Sequence, residues 1–136
     1  MAQLSLKVVT PDKLIFEGKA DRLLAKGLEG QFMVLPRHLP MVTLLGIGEL
    51  RIDSGDESFY IAIEEGVLEV AAGDIVTILA NDAVAAEDID MARIKMDLDR
   101  QERNKQNIKS REEMIRQEVE ISKLMNQLRV GQRIVR

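Results

Sequence analysis

Hydrophobic and polar positions alternate from the start of the chain and change period about two-thirds of the way along it. Leu4, Leu6 and Val8 take every second place, with Ser5 and Lys7 between them, the period of a half-buried strand. Thr10-Pro11-Asp12 turns the chain, Leu14-Ile15-Phe16 opens a second strand that Gly18 should close, and Ala20 to Ala25 forms a third. Between Gly27 and Ile52, the apolar runs Phe32 to Leu35 and Met41 to Leu45 are set off by Gly27, Gly30, Gly46 and Gly48. Pro36 and Pro40 bracket Arg37-His38-Leu39, so this corner cannot be helical and lacks two backbone donors. Asp53-Ser54-Gly55-Asp56 predicts a hairpin turn, Glu64-Glu65-Gly66 and Gly73-Asp74 predict two more, and Ile75 to Leu79 ends the set. Short strands with turn signals about every 8–12 residues predict an antiparallel sandwich or barrel.

After Ala85 the apolar spacing becomes three and four. Ala85, Ile89, Ala92 and Met96 fall on one helical face, and Glu87, Asp88 and Asp90 put acid in the first turn, where the helix dipole favours it. Gln101 to Lys105 is wholly polar, and Asn104 to Asn107 predicts a loop. Ser110 with Glu113 predicts a capping box opening a second helix. Its apolar face would be Met114, Ile115, Val119, Ile121, Leu124, Met125 and Leu128, with Gly131 as the stop. The expected class is α+β, mainly β in its N-terminal part. An antiparallel β-sandwich domain spans 1–86 and a C-terminal two-helix hairpin spans 87–136, with helices near 88–103 and 110–130.

Composition sharpens the boundary. All four aromatics, all three prolines and every glycine except Gly131 lie before it. The first part carries a net charge of −6 and the second +2, so neither offers the basic surface that nucleic acid requires. There is no cysteine, hence no disulfide framework or thiolate zinc site. No apolar run approaches the length that spans a bilayer, so direct membrane insertion is not expected. A secretory signal is not expected either, because Met1-Ala2-Gln3 leads straight into the first strand.

Candidate chemistry is sparse. His38 is the single histidine, with no triad partner, and is expected to hydrogen-bond backbone at a corner. Glu64-Glu65 and Glu112-Glu113 have no metal-ligand spacing and read as solvated turns and helix faces. No phosphate-binding glycine loop of the Walker type is present. No catalytic residue and no metal site is expected, and the chain is not an enzyme by itself.

The block Leu35-Pro36-Arg37-His38-Leu39-Pro40, preceded by Gly27 and Gly30 and followed by Gly48-Glu49-Leu50-Arg51-Ile52, resembles the ε subunit of bacterial F-type ATP synthases. Gly66-Val67-Leu68-Glu69-Val70, Ile89-Asp90-Met91-Ala92-Arg93 and Gln127-Leu128-Arg129-Val130 match in the same order. The resemblance covers nearly the whole chain. It implies a central-stalk rotor component that couples ion transport to ATP synthesis, peripheral at the cytoplasmic face of the membrane. The implied partners are the γ subunit, the ring of c subunits, and the catalytic β (and α) subunits when the helices extend. Gln31, Arg37 and His38 would lie on the γ or c-ring side. Arg111, Arg116, Lys123 and Arg129 would meet an acidic segment of β, unless they form an ordinary solvated face with pairs such as Glu112–Arg116.

Two further expectations follow. A hairpin that is polar in its middle opens at little cost, which suits a two-state arm, and the resemblance implies that the extended helices block ATP hydrolysis. Some relatives hold ATP through Ile/Leu-Asp-x-x-Arg-Ala at the start of the first helix. Here Ile89, Asp90 and Arg93 match, Arg100 follows two turns on, and Ile94 replaces the alanine. No cofactor is expected to be required, and ATP is expected to act at most as a weak regulatory ligand. The alternative reading is a free-standing nucleotide-sensing or adaptor module with the same sandwich and arm.

Overall fold

A computed structural model describes residues 2–134. Ten strands come first: β1 (Leu4–Val9), β2 (Leu14–Ala20), β3 (Arg22–Gly27), β4 (Gly30–Val34), β5 (Met41–Leu45), β6 (Gly48–Ser54), β7 (Glu57–Ile63), β8 (Gly66–Ala71), β9 (Ile75–Ala80) and β10 (Ala83–Ala85). A single 3-10 turn over Ala86–Asp88 leads to helix α1 (Met91–Asn104). A second over Lys105–Asn107 leads to helix α2 (Arg111–Gly131).

The strands form two layers. β10-β7-β6-β3 with β4 beyond it makes one, and β5-β8-β9-β1-β2 the other. They join at the single pair Gly27–Leu45. Alternation places Leu4, Leu6, Val8, Leu23, Leu50, Ile52, Leu68, Val76 and Ile78 between the layers, nearly or completely shielded from water. Phe16 and Phe59 close one side with ring centroids 5.5 Å apart and planes tilted by 55°, a favourable aromatic contact. Most pairings are antiparallel, as expected. β1 and β9 run parallel, Leu6 beside Val76, which the local alternation does not reveal because parallel partners are distant in sequence. β2 runs on past Gly18 to Ala20.

The turns follow their residues. Gly55 sits at φ 60° in the two-residue loop between Ser54 and Glu57, as a type II′ turn demands of its first central residue. Gly66 pairs with Ala80 so closely that a Cβ there would collide with the Leu79 carbonyl.

The helices differ from expectation in register. α1 starts at Met91, because the Asp90 carboxylate accepts the Arg93 N–H at 3.1 Å and Asp90 becomes the N-cap. The inward residue of α1 is Ile94, while Ala92 and Met96 face solvent. α2 opens at Ser110, whose hydroxyl accepts the Glu113 N–H, and Glu113 in turn accepts the Lys109 N–H. Of its expected apolar face, Leu124 is buried and Met114, Ile115, Val119 and Met125 are exposed. Gly131 is not a left-handed stop. It lies inside the last turn, buried against Met91 and Ile89, where the absent Cβ lets α1 cross.

Candidate functional site

Two surfaces stand out. The first is the outer face of the β5-β8-β9-β1-β2 layer. Leu44 pairs with Val67, Val67 with Leu79, Leu79 with Val9, and Val9 with Leu14. Cross-strand register thus lines up Leu44, Val67, Leu79 and Val9 in one row on the solvent side, and Leu14 follows where the β1–β2 register shifts after Val8. Leu44, Leu79 and Leu14 are each more than half exposed. Val42, 67% exposed, stands beside the row. At its β5 end an open groove of about 560 Å³ lies between Gly27–Phe32 and Met41–Leu44, with Leu28 at its lip and Gln31 in its wall. Contiguous exposed apolar side chains of this kind are a candidate contact surface.

The proline corner stands at the end of β4, and Leu35 and Leu39 are exposed around it. Pro36 and Arg37 occupy the centre of a turn closed by the His38 N–H donating to the Leu35 carbonyl at 3.1 Å. Arg37 lies at φ 72°, the conformation that the third residue of a type II turn requires. Its N–H donates to Asp74 Oδ1 at 2.7 Å. His38 Nδ1 lies 2.7 Å from the Leu39 carbonyl, which can only accept, so this nitrogen carries the proton. That is the backbone-bonded corner role expected of it. Gln31, Arg37 and His38 thus occupy the β3–β4 hairpin and the corner that follows it, beside the exposed apolar residues.

The second surface is the helical arm. Its candidate ATP residues are all engaged. Ile89 packs with Tyr60, Ala62, Ala86 and Val130 at the joint with the sandwich. Asp90 caps α1. Arg93 and Arg100 both approach Asp97, at 3.9 and 3.5 Å. The four candidate basic residues of α2 do not share a face. At 100° per residue, Arg111 and Arg129 fall on one side, and Arg116 and Lys123 on another. Lys123 meets Glu64 at 3.0 Å, which raises the lysine's pKa and turns a glutamate expected to be solvated into a docking partner. Arg111, Arg116 and Arg129 are exposed and in no ion pair among the described residues.

Three sets of contacts are not visible in the sequence. Asn126 is buried and donates to two carbonyls of the sandwich, Gly48 O at 2.9 Å and Ile63 O at 3.2 Å. Arg133 grips Glu49 through Nε and Nη2 at 2.9 and 3.0 Å, and its guanidinium lies 5.3 Å from the Tyr60 ring centre. Asp53 is buried between Arg22, Arg51 and Ser58, at 2.6, 3.0 and 2.7 Å. Burial pushes its pKa up, but the three hydrogen bonds outweigh that and hold it at about 2. No set of side chains able to hold a metal ion is present among the described residues, and no helix there is long and apolar enough to cross a membrane.

The family model for the ATP synthase, Delta/Epsilon chain, beta-sandwich domain matches residues 3–86. The chain is 38% identical over 104 residues to the ATP synthase epsilon chain of Brevibacillus brevis, covering 76% of this chain and 78% of that one. It is 34% identical over 127 residues to the ATP synthase epsilon chain of Desulforamulus reducens, covering 93% and 96%.

The chain belongs to the ATP synthase epsilon-chain family.

An epsilon chain is a non-catalytic subunit of the complex. The fold is shared more widely. A chain of the Euglena gracilis mitochondrial ATP synthase, from a structure of OSCP, F1 and c-ring, superimposes with a TM-score of 0.79 at 23% identity. The match covers 93% of this chain and 79% of that one. A chain from the central stalk and c-ring of the Tetrahymena thermophila mitochondrial enzyme gives 0.64 at 16% identity, covering 96% and 97%.

Proposed function

We propose that this epsilon chain is a rotor component that couples ion transport to ATP synthesis, seated by its sandwich and regulated by its arm. The apolar row Leu44–Val67–Leu79–Val9 carries the reading, because Leu44 and Leu79 stand more than half exposed on it among the described residues and the strand pairing holds it preformed. In this reading the row binds the γ subunit. The proline corner with Arg37 and His38, and Gln31 on the hairpin beside it, faces the ring of c subunits. The chain sits at the cytoplasmic face of the membrane through these partners. The arm lies docked in one state and extends toward the catalytic β and α subunits in another, where it restrains ATP hydrolysis. Its cations Arg111, Arg116 and Arg129 are exposed for such a contact, and Lys123 joins them only after leaving Glu64.

A binding titration tests the seat. Leu44→Asp places a carboxylate at the β5 end of the row and Leu79→Asp one in its interior, both at exposed positions outside the core. Each should weaken binding to the γ subunit of the same enzyme about 100-fold, roughly 3 kcal/mol. Unchanged affinity in both variants, with the fold intact, would remove the row from the interface.

A further inference from the structure

The arm touches the sandwich over a short length. Residues 111–116 and 118–120 of α2 are exposed, and Gln117 reaches only across to α1, donating to the Gln101 carbonyl at 2.8 Å. From Lys123 onward the situation reverses. Lys123, Asn126, Val130 and Arg133 follow at intervals of three and four, so the last turns present one face to the edge formed by β6, β7 and the 3-10 turn after β10. Val130 is completely buried there with Ala62, Ala86, Tyr60 and Ile89.

Asn126 lies at the centre of this face, 3% exposed. Gly48 and Ile63, whose carbonyls it satisfies, are the terminal pair of the β6–β7 ladder. One amide nitrogen carries two hydrogens, one for each carbonyl. Sliding α2 by one residue rotates the face by 100° and would leave two carbonyls covered by helix without a donor. An apolar contact alone tolerates such slips, whereas a buried polar residue fixes register, as it does in coiled coils. The flanking ion pairs, Lys123–Glu64 and Arg133–Glu49, strengthen the same position from both sides.

We propose that Asn126, with Lys123–Glu64 and Arg133–Glu49 beside it, is a latch that holds the arm on the sandwich in a single register. Glu64 occupies Lys123 in the docked state, so an acidic partner surface competes with Glu64 for the same lysine. The latch deepens the reading of a mobile arm and rests on it for its regulatory meaning.

The chain has no cysteine, so cysteines placed at exposed Ser122 and Asp56 carry a donor and an acceptor dye without background labelling. Urea is titrated against the full-length chain, with energy transfer reporting arm release and circular dichroism reporting the sheet. Asn126→Leu should raise the released fraction at least tenfold at a given urea concentration and leave the sheet transition in place. Lys123→Glu should do part of the same, and adding Glu64→Lys should restore docking. This charge exchange keeps the test decisive if Asn126→Leu folds poorly. A released fraction unchanged by Asn126→Leu, or a charge-exchanged pair no better docked than Lys123→Glu alone, overturns the latch. The same dye pair in the assembled enzyme reports separately whether the arm moves at all. A motionless arm there defeats the functional reading and leaves the latch measurement standing.

Discussion

Arg37 and Asp74, the two non-glycine residues with positive φ among those described, are hydrogen-bonded to each other: the Arg37 N–H donates to Asp74 Oδ1 at 2.7 Å. The contact ties the proline corner to the β8–β9 turn, and the Asp74 carbonyl accepts from the Ser5 N–H at 2.8 Å, so β1 is joined to the same knot. Each residue adopts a backbone conformation that costs roughly 1–2 kcal/mol for a side chain with a Cβ. Aspartate tolerates it better than most because its carboxylate can bond locally. Asp74→Ala removes the acceptor and keeps the strained φ, and should cost about 2 kcal/mol in urea unfolding. Asp74→Gly removes the acceptor and relieves the φ, and should cost about 1 kcal/mol less. Equal losses would show that the φ is not strained.

Asp53 sets an acid limit on the sandwich. Its folded pKa of about 2 lies below its ordinary value of 3.8. A depressed carboxylate pKa gives stability that is fully present above the unfolded value and is lost as pH falls through the folded one. The expected loss is about 2 kcal/mol between roughly pH 4 and pH 2. Melting curves over that range should show it, and Asp53→Asn should flatten that part of the profile while lowering stability at neutral pH. A wild-type profile no steeper than that of Asp53→Asn would contradict the assignment.

Gly66 separates packing from flexibility. Its φ is not in the left-handed region, so conformational freedom is not what glycine supplies there. The added Cβ of Gly66→Ala would meet the Leu79 carbonyl oxygen and the Ala80 Cα, both backbone, which cannot rotate away. Overpacking of this kind should cost roughly 3 kcal/mol. Gly131→Ala meets mainly the Met91 side chain, which can move, and should loosen the α1 crossing with a smaller loss. A larger loss for Gly131→Ala than for Gly66→Ala in urea unfolding would reverse this assignment.

The sandwich was legible because its signals are local. Gly55-Asp56 and Gly73-Asp74 form turns by their own backbone preferences, and Leu4-Leu6-Val8 alternates whatever lies opposite. The parallel β1–β9 pairing was not, since nothing near Leu6 specifies Val76. In the first helix the spacing of Ala85, Ile89, Ala92 and Met96 points to one face, whereas the docked helix buries Ile94, about 200° from Ala92, because packing against the rest of the chain and not local spacing decides which side turns inward. Asn126 was invisible for a different reason. A lone asparagine on an amphipathic helix reads as solvated until the two carbonyls beneath it are seen. The proline corner was found through its residue types, although its tie to Asp74 depends on a turn 37 residues away.

Removing the arm should release the brake and leave the seat. A chain ending at Ala86 keeps all ten strands and the shared core, and loses the cover over Tyr60 and Ala62. It should remain sheet-rich by circular dichroism and still bind γ. Enzyme assembled with it should hydrolyse ATP faster than enzyme with the full chain. Arg116→Ala and Arg129→Ala in the full chain should reproduce part of that gain, and Lys123→Ala should combine loss of docking with loss of the partner contact. Equal hydrolysis by truncated and full-length assemblies would end the case for a brake in this protein.

ATP should bind the isolated subunit no more tightly than about 1 mM, an affinity corresponding to roughly −4 kcal/mol. The matched residues are present, but their groups have other work. Asp90 gives its carboxylate to the Arg93 N–H, and withdrawing it for a nucleotide would uncap α1 at a cost of about 1 kcal/mol. Arg93 and Arg100 both lean on Asp97, so a phosphate must compete with a carboxylate already between them. Ile89 is packed against Tyr60 and Val130 rather than open to a ring. Ile94 is the largest obstacle. It is the one buried residue of α1, 6% exposed, at the position where the motif Ile/Leu-Asp-x-x-Arg-Ala would have alanine. Any base inserted there must displace a branched side chain. Isothermal titration with MgATP should therefore give no heat of binding at micromolar concentrations, for the wild type and for Arg93→Ala alike. Ile94→Ala removes the bulk and keeps Asp90, Arg93 and Arg100, so it should be the first variant to show measurable affinity. A micromolar constant in the wild type that Arg93→Ala abolishes would reverse the conclusion and make the arm nucleotide-gated.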